Sequence, residues 1–233
     1  MTHPFPYGDI ELAHLCNACP QFAQLVEYYD AAGTPRPSRP VEEDVFTALM
    51  RAINDQLISL KAAASIWGRI CALFDLPAPD PDIEHSMGAC PTPEQFAHAT
   101  PEELHACGTT SKKAEYMHDI ACMVVDGTLD LEGLRTASDE EITRTLVALR
   151  GIGLWSAEML LIHAYERPDV ISFGDAAIRR GVCMLFDIPN EDLTRERFDE
   201  LTASFHPYAT TASIYLWRLS KEKHWPPENE QRI

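Results

Sequence analysis

The sequence is short of positive charge. Its 233 residues include 19 lysines and arginines against 36 aspartates and glutamates, which gives a formal net charge of −17. Proteins that bind nucleic acids usually carry a basic face, so this balance argues against broad electrostatic contact with a polyanion. Any such contact must rest on a small local group of basic residues or on main-chain atoms.

Long apolar runs are also missing. No stretch of about eighteen apolar residues occurs, which excludes an ordinary membrane-spanning helix. The first residues, MTHPFPYGDI, lack the basic start and apolar stretch of a signal peptide. We therefore expect a protein that works in the cytosol, or in the nucleus if the source is a eukaryote. We also expect it to be a monomer.

The cysteines do not form a disulfide or zinc pattern. There are seven, an odd number, and they are scattered along the chain as free thiols of a reducing compartment are. Cys16 and Cys19 form a single C-x-x-C. Even with His14 they supply three ligands, whereas a structural zinc site needs four. We interpret them as small apolar side chains near a helix start, with a metal site as the less favoured alternative.

Strand patterns are nearly absent, and Val170–Phe173 is the one short candidate. Apolar residues at helical spacing occupy residues 9–32 and continue from about residue 42 to Asn54 and Asp55. Further helix starts are indicated by residues that cap N-termini, two of them followed by proline. These starts are Ser59, Thr92, Thr100, Ser111 and Ser138, the last opening a helix that ends at Gly151. We predict an all-α chain of about ten or more short helices.

Residues 146–162, LVALRGIGLWSAEMLLI, read as helix, tight turn and helix. Gly151 and Gly153 permit positive φ and the close approach of another backbone. The free N–H groups around Ser156, at the start of the second helix, suit a phosphate oxygen. The hairpin can thus hold a polyanion with few lysines. An ordinary αα-hairpin with a glycine turn is the alternative.

The stretch LRGIGLWSAEM resembles the hairpin of the helix-hairpin-helix DNA glycosylases. Residues 168–181, PDVISFGDAAIRRG, resemble the Gly- and Pro-rich segment that carries their catalytic aspartate, and Asp175 falls twenty residues after Trp155 as that aspartate should. AINDQLISLKAA at residues 52–63 and SIYLW at residues 213–217 resemble the 3-methyladenine DNA glycosylase II branch. The resemblance covers residues 42 to 219.

The resemblance implies two helical lobes with a DNA-binding cleft and the helix-hairpin-helix motif. Residues 1–40 are then an N-terminal helical segment packing on the core, and residues 41–233 the HhH-GPD domain with its hairpin at 146–162. It also implies a monofunctional enzyme that flips alkylated purines, such as 3-methyladenine and 7-methylguanine, out of double-stranded DNA and hydrolyses their N-glycosidic bonds. The alternatives are a glycosylase for uracil, hypoxanthine or oxidised purines, and a DNA-binding module without catalysis, which would need no carboxylate at Asp175.

Two residues carry the chemistry that the resemblance implies. Breaking an N-glycosidic bond builds positive charge on the sugar, and a carboxylate at Asp175 stabilises that charge. A helix N-cap is the alternative role for Asp175, and both roles can coexist. Trp155 stands where strand-nicking relatives carry a Schiff-base lysine, so the product should be an abasic site. Its indole suits an electron-poor alkylated base, with core packing as the alternative.

Flipping a base out of the duplex requires a side chain that fills the gap. The resemblance places Leu57 at this wedge position with Gln56 beside it; a core leucine and a capping glutamine are the alternatives. The expected DNA contacts are Gly151, Gly153, Ser156, Lys112, Lys113 and Arg179. Leu154, Ala209 and Thr210 depart from the family, because they replace residues that would contact phosphates.

The resemblance also concerns cofactors. None is required for the reaction. A structural sodium or potassium ion is expected on the main-chain carbonyls of Val147, Leu149 and Ile152. The relatives with an iron–sulfur cluster carry four cysteines in a C-terminal loop, whereas Cys183 is the one late cysteine here. We therefore expect no cluster.

Overall fold

A computed structural model describes residues 2–77, 89–223 and 225. These residues form twelve α-helices and two short strands, which confirms the predicted all-α class. The helices are α1 (Asp9–Ala18), α2 (Pro20–Ala31), α3 (Val45–Asp55), α4 (Leu60–Leu73), α5 (Pro93–His98), α6 (Pro101–Ala106), α7 (Ser111–Val125), α8 (Asp139–Val147), α9 (Leu154–His163), α10 (Ala176–Phe186), α11 (Arg195–Thr202) and α12 (Ala209–Leu219). Strands β1 (Thr2–Pro4) and β2 (Pro40–Glu42) pair in a two-stranded sheet. No helix in the described ranges has the length and apolarity needed to cross a membrane.

The chain divides into two compact units. We call residues 1–3 and 40–165 the hairpin unit, and residues 4–39 and 166–233 the carboxylate unit. The N-terminal helices α1 and α2 belong to the carboxylate unit, where they contact α10 and α12.

Helix α3 is the central element of the hairpin unit. The Asp44 carboxylate caps its N-terminus by accepting a hydrogen bond from the Phe46 N–H at 3.1 Å. Its core side chains, among them Leu49 and Ile53, are fully buried, and α3 contacts α4, α7 and α9. The helix ends after Asp55 as predicted, because Gln56 leaves the helical conformation. The segment after α3 therefore starts from a rigid, buried base.

Helices α10 and α12 form the centre of the carboxylate unit. They approach closely at Gly181, where an added Cβ would lie 2.5 Å from the Leu216 carbonyl oxygen. Asp175 caps the N-terminus of α10, and nearly every residue of α12 is buried. This packing fixes the positions of the first turn of α10 and of Trp217 on α12.

Several local predictions are confirmed and others are wrong. Ser59, Thr92, Thr100 and Ser138 cap helices as predicted, and α7 begins at Ser111 as predicted, with Thr110 as its N-cap. The helix predicted over residues 9–32 is broken at Cys19, since Pro20 begins α2. The helix from Ser138 ends at Val147, not at Gly151.

Val170–Phe173 is not a strand. The Val170 N–H donates to the Thr210 hydroxyl at 2.9 Å, and the Val170 carbonyl accepts from the Ser213 hydroxyl at 3.0 Å. The backbone of Val170 therefore bonds side chains of α12 instead of a second strand.

Candidate functional site

The turn between α8 and α9 contains two glycines with different requirements. Gly151 has φ +89°, and a Cβ there would lie 2.2 Å from the Tyr116 ring, so only glycine fits. Gly153 is the N-cap of α9 with φ −93°, so it does not use the positive φ that glycine permits. A Cβ at Gly153 would meet no protein atom within 4 Å. The space in front of Gly153 is therefore open to a ligand.

The start of α9 combines open backbone with an apolar surface. Within the described residues, no side chain caps its N-terminus, where helical N–H groups favour an anion. Trp155 is 44% exposed, which excludes the alternative that it is a core residue. Leu154 is exposed beside it. The hairpin thus presents an indole, main-chain donors and no added charge at Leu154.

Gln56 connects the end of α3 to this hairpin. Its side-chain N–H donates to the Gly151 carbonyl at 2.9 Å and lies 3.5 Å from the Ser156 hydroxyl. Ser156 is 5% exposed, so its hydroxyl faces Gln56 instead of solvent. The Gln56 side chain therefore links the end of α3 to the turn between α8 and α9. The DNA contact predicted for Ser156 would therefore be made by its main-chain N–H and not by its hydroxyl.

Leu57 stands at the tip of the loop between α3 and α4. Its side chain is fully exposed, at 104% of the reference area, so the alternative of a core leucine is wrong. Its φ of +58° lies in the left-handed region that leucine rarely adopts. Ile58 and Leu60 are exposed next to it. An apolar tip that the protein itself does not pack is what a wedge requires.

The predicted basic residues occupy different settings. Lys112 is exposed, whereas Lys113 donates from Nζ to the carbonyls of Asn54 at 2.8 Å and Gln56 at 2.7 Å. Two of the three ammonium donors of Lys113 are thus used inside the hairpin unit, which weakens its predicted role as a phosphate contact. In the carboxylate unit, the Arg179 guanidinium lies over the Phe173 ring at 5.0 Å.

Asp175 is buried at the N-terminus of α10, with 9% of its surface exposed. Its Oδ1 accepts hydrogen bonds from Ala177 N–H at 2.9 Å, Ile178 N–H at 2.8 Å and the Trp217 indole N–H at 3.1 Å. The N-cap predicted as its alternative role is therefore present. The indole bond is an addition that capping does not need, and it fixes the orientation of the carboxylate.

Arg39 and Trp217 are parts of this setting that the sequence did not assign to the site. The Arg39 guanidinium lies 5.0 Å from the centre of the Trp217 ring. Burial lowers the pKa of Arg39 and the Asp175 carboxylate opposes that shift, so the two charges interact. Arg39 follows a proline-rich segment far from Asp175 in the sequence. No spacing rule connects them, and only the resemblance of residues 213–217 to the closing helix of the family pointed towards Trp217.

The turn of the hairpin also supplies main-chain oxygens. The Val147 carbonyl is at the end of α8, where helical carbonyls lose their ordinary partners, and those of Leu149 and Ile152 follow in the turn. The Leu149 carbonyl accepts from the Ile152 N–H at 3.2 Å and keeps a second lone pair. Uncharged oxygens of this kind fit a monovalent cation. No cluster of three His, Cys, Asp or Glu ligands occurs among the described residues, and Cys16 and Cys19 are free thiols there.

Comparison with known proteins gives consistent results. The family model described as the HhH-GPD superfamily base excision DNA repair protein matches residues 50–206. DNA-3-methyladenine glycosylase 1 of Schizosaccharomyces pombe is 30% identical over 212 residues, which are 89% of this chain and 86% of that protein. DNA-3-methyladenine glycosylase of Saccharomyces cerevisiae is 31% identical, over 76% of this chain and 67% of its own length.

Solved structures agree with the sequence comparisons. DNA-3-methyladenine glycosidase from Bacillus halodurans has a TM-score of 0.72 at 27% identity, with 95% of this chain and 93% of that chain covered. The 3-methyladenine DNA glycosylase Mag1 of Schizosaccharomyces pombe, in complex with abasic DNA, has a TM-score of 0.72 at 28% identity and coverages of 92% and 98%. The likeness therefore extends over nearly the whole fold.

Proposed function

Because the chain belongs to the HhH-GPD superfamily of base excision DNA repair proteins, we propose that it is a monofunctional DNA glycosylase for alkylated purines. The observation that carries the proposal is the setting of Asp175. Its buried carboxylate is held by two main-chain N–H groups and by the Trp217 indole. The names of the relatives support 3-methyladenine as a substrate, and the resemblance of the sequence to the glycosylase II branch adds 7-methylguanine.

The chemistry follows from where charge develops. As the bond between the sugar and the alkylated base breaks, C1′ becomes positive, and a fixed carboxylate beside it lowers the energy of that state. We assign this role to Asp175, with a water molecule completing the hydrolysis. Because the oriented carboxylate exists before the substrate arrives, little reorganisation is needed in the transition state.

The hairpin unit supplies recognition in this proposal. Trp155 offers an exposed indole face to an electron-poor base, since alkylation gives the ring positive character. The open space at Gly153 and the N-terminus of α9 would take a DNA phosphate. Leu57 would fill the space that the flipped nucleotide leaves. Lys112 and Arg179 would add local positive charge.

Two further parts of the proposal concern what the enzyme carries and where it works. A sodium or potassium ion on the carbonyls of Val147, Leu149 and Ile152 would stiffen the turn that faces the phosphate. The proposed chemistry uses neither an iron–sulfur cluster nor another cofactor. An enzyme with this substrate works on chromosomal DNA, in the cytoplasm or, in a eukaryote, in the nucleus.

The test is an incubation with duplexes that each carry one defined lesion. Release of free 3-methyladenine or 7-methylguanine is expected, with strands that stay intact until alkali breaks them at the abasic site. Duplexes with uracil, hypoxanthine or an oxidised purine serve as comparisons. Borohydride should trap no covalent adduct, because Trp155 offers no amine. A trapped adduct would refute a monofunctional enzyme, and activity on none of the alkylated duplexes would refute the proposed function.

A further inference from the structure

Lys113 is an internal cation at the end of α3. Its side chain reaches from α7, and Nζ donates to the carbonyls of Asn54 at 2.8 Å and Gln56 at 2.7 Å. Carbonyls in the last turn of a helix lack partners within the helix, and a cation is favourable there. The side chain therefore closes the C-terminus of α3 from a different helix, although its position in the sequence suggested a contact with DNA.

The residue that follows is one whose conformation needs support. Leu57 has φ +58°, which is unfavourable for a side chain with a Cβ, and its own side chain is fully exposed. Packing of Leu57 cannot compensate for this conformation. The neighbouring hydrogen bonds of Gln56 must hold it: Lys113 binds the Gln56 carbonyl, and the Gln56 side chain binds the Gly151 carbonyl at 2.9 Å.

We propose that Lys113 is a positioning residue that holds the Leu57 turn in the form that enters the duplex during flipping. The inference rests on the proposed function. In it, the ammonium does not bind phosphate but fixes the exit of the chain from α3, so that Leu57 projects from a rigid base. Lys113 thereby joins α7 to the wedge turn, and Gln56 joins the same turn to the hairpin.

The electrostatic setting of Lys113 agrees with an internal role. Burial lowers the pKa of Lys113, and the nearby Asp55 carboxylate opposes the shift and favours the charged form. Arg150, another basic residue near the hairpin, is held by Asp119 at 3.3 Å and by Glu115 at 3.7 Å on α7. Lys113 is thus bound within the protein, and Arg150, although exposed, is paired with two carboxylates of α7.

The test compares Lys113→Met with Lys112→Met on two substrates. One is a duplex with 7-methylguanine opposite cytosine, and the other carries the same base opposite an abasic analogue, where flipping is easy. Lys113→Met should lose at least about tenfold more activity on the paired duplex, as expected for lost hydrogen bonds to a charged group. Lys112→Met should lower both activities equally. Lys113→Arg, which keeps the charge and donors, should restore part of the difference.

A double variant tests whether Lys113 acts through Leu57. In a Leu57→Ala background, Lys113→Met should cause no further loss specific to the paired duplex, because the wedge is already absent. Equal losses on both substrates, or additive losses in the double variant, would overturn the inference and make Lys113 a DNA contact or a purely structural residue.

Hydrogen exchange separates this inference from the proposed function. In the free protein, Lys113→Met should speed exchange of the main-chain amides in the last turn of α3, which ends at Asp55, whatever the enzyme acts on. Unchanged exchange there would overturn the inference even in an active enzyme. If Lys113→Met speeds exchange but the wild-type protein excises no alkylated base, only the proposed function is refuted.

Discussion

The two units keep their candidate residues in opposite environments. In the hairpin unit, Leu57 and Trp155 are exposed, and the space before Gly153 is open. In the carboxylate unit, Asp175 and Trp217 are both more than nine-tenths buried and are bonded to each other. Residues that must meet a large, variable surface are left at the surface. The Asp175 carboxylate, which the proposed function assigns to the sugar, is enclosed and oriented, as an electrostatic catalyst requires.

A second difference separates two similar caps. Asp44 and Asp175 both cap a helix through Oδ1. The second oxygen of Asp44 accepts from the Thr47 hydroxyl at 2.6 Å, a neighbour in its own helix, whereas Asp175 binds an indole from α12. The cap by itself therefore does not mark a catalytic group. The long-range partner is what distinguishes Asp175.

The largest effect on the difference between the two caps is expected from Asp175→Asn. Asparagine keeps the shape and much of the capping but removes the charge. Excision of 7-methylguanine should fall by at least ~100-fold, the size of a lost major electrostatic contribution, while folding and DNA binding persist. Asp44→Asn is the matched control and should leave the excision rate near wild type. If Asp175→Asn also stays near wild type, Asp175 is only a cap.

Trp217→Phe tests the bond that distinguishes the two caps. Phenylalanine keeps most of the ring but removes the N–H that Asp175 accepts. A lost hydrogen bond to a charged group predicts about a tenfold fall in single-turnover excision rate. Trp67→Phe removes a buried indole of the same size from the hairpin unit, where it donates to the Ala89 carbonyl. An equal effect of both variants on the rate would assign Trp217 to stability alone.

Leu57→Ala tests the exposed side of the comparison. Because the side chain is outside the core, the melting temperature should stay within about two degrees of wild type. The buried Leu49→Ala should instead cost about 2 to 5 kcal/mol in the free energy of unfolding. Leu57→Ala should lose several-fold more activity on paired duplex than on a mismatched or single-stranded lesion. A large drop in melting temperature would contradict the exposed position of Leu57.

The smallest expected effect concerns salt. With a net charge of −17 and Leu154 at the hairpin, binding should neutralise about 3 to 5 phosphates, each with a slope near −0.9. Lys112→Met should reduce the slope by about one, as for one lost phosphate contact. Fluorescence anisotropy over a salt series measures both. A slope typical of a strongly basic binder would reveal a phosphate-binding surface outside the residues named here.

The features that the sequence predicted well are local ones. Ser59, Thr92 and Ser138 cap their helices because the hydroxyl bonds an N–H two or three residues later. The turn at Gly151 and the N-cap at Asp175 are also set by residues that are close in the sequence. Pro20 is a local signal for a helix start, but the apolar spacing across residues 9–32 indicated helix on both sides of it and no break was predicted there.

The features that could not be predicted join distant segments. The bonds of Gln56 to Gly151, of Lys113 to Asn54 and of Trp217 to Asp175 depend on how helices pack, which no spacing encodes. The strand predicted at Val170–Phe173 is wrong for the same reason. Side chains of α12, and not a second strand, bond the backbone of Val170. Sequence motifs located the candidate residues. Their partners required the three-dimensional structure.

A carboxylate held at one oxygen by three donors has little freedom to follow a substrate. In the proposed mechanism the sugar must come to Asp175, so a nucleotide that leaves the stack only partly would reach no reactive position. The time that a flipped nucleotide spends beside Asp175 would then decide which bases are removed. A cationic alkylated base is a good leaving group and departs during a short visit, whereas a neutral normal base returns to the helix unchanged. If Asp175 acts as proposed, the rigidity of one helix cap would thus protect undamaged DNA.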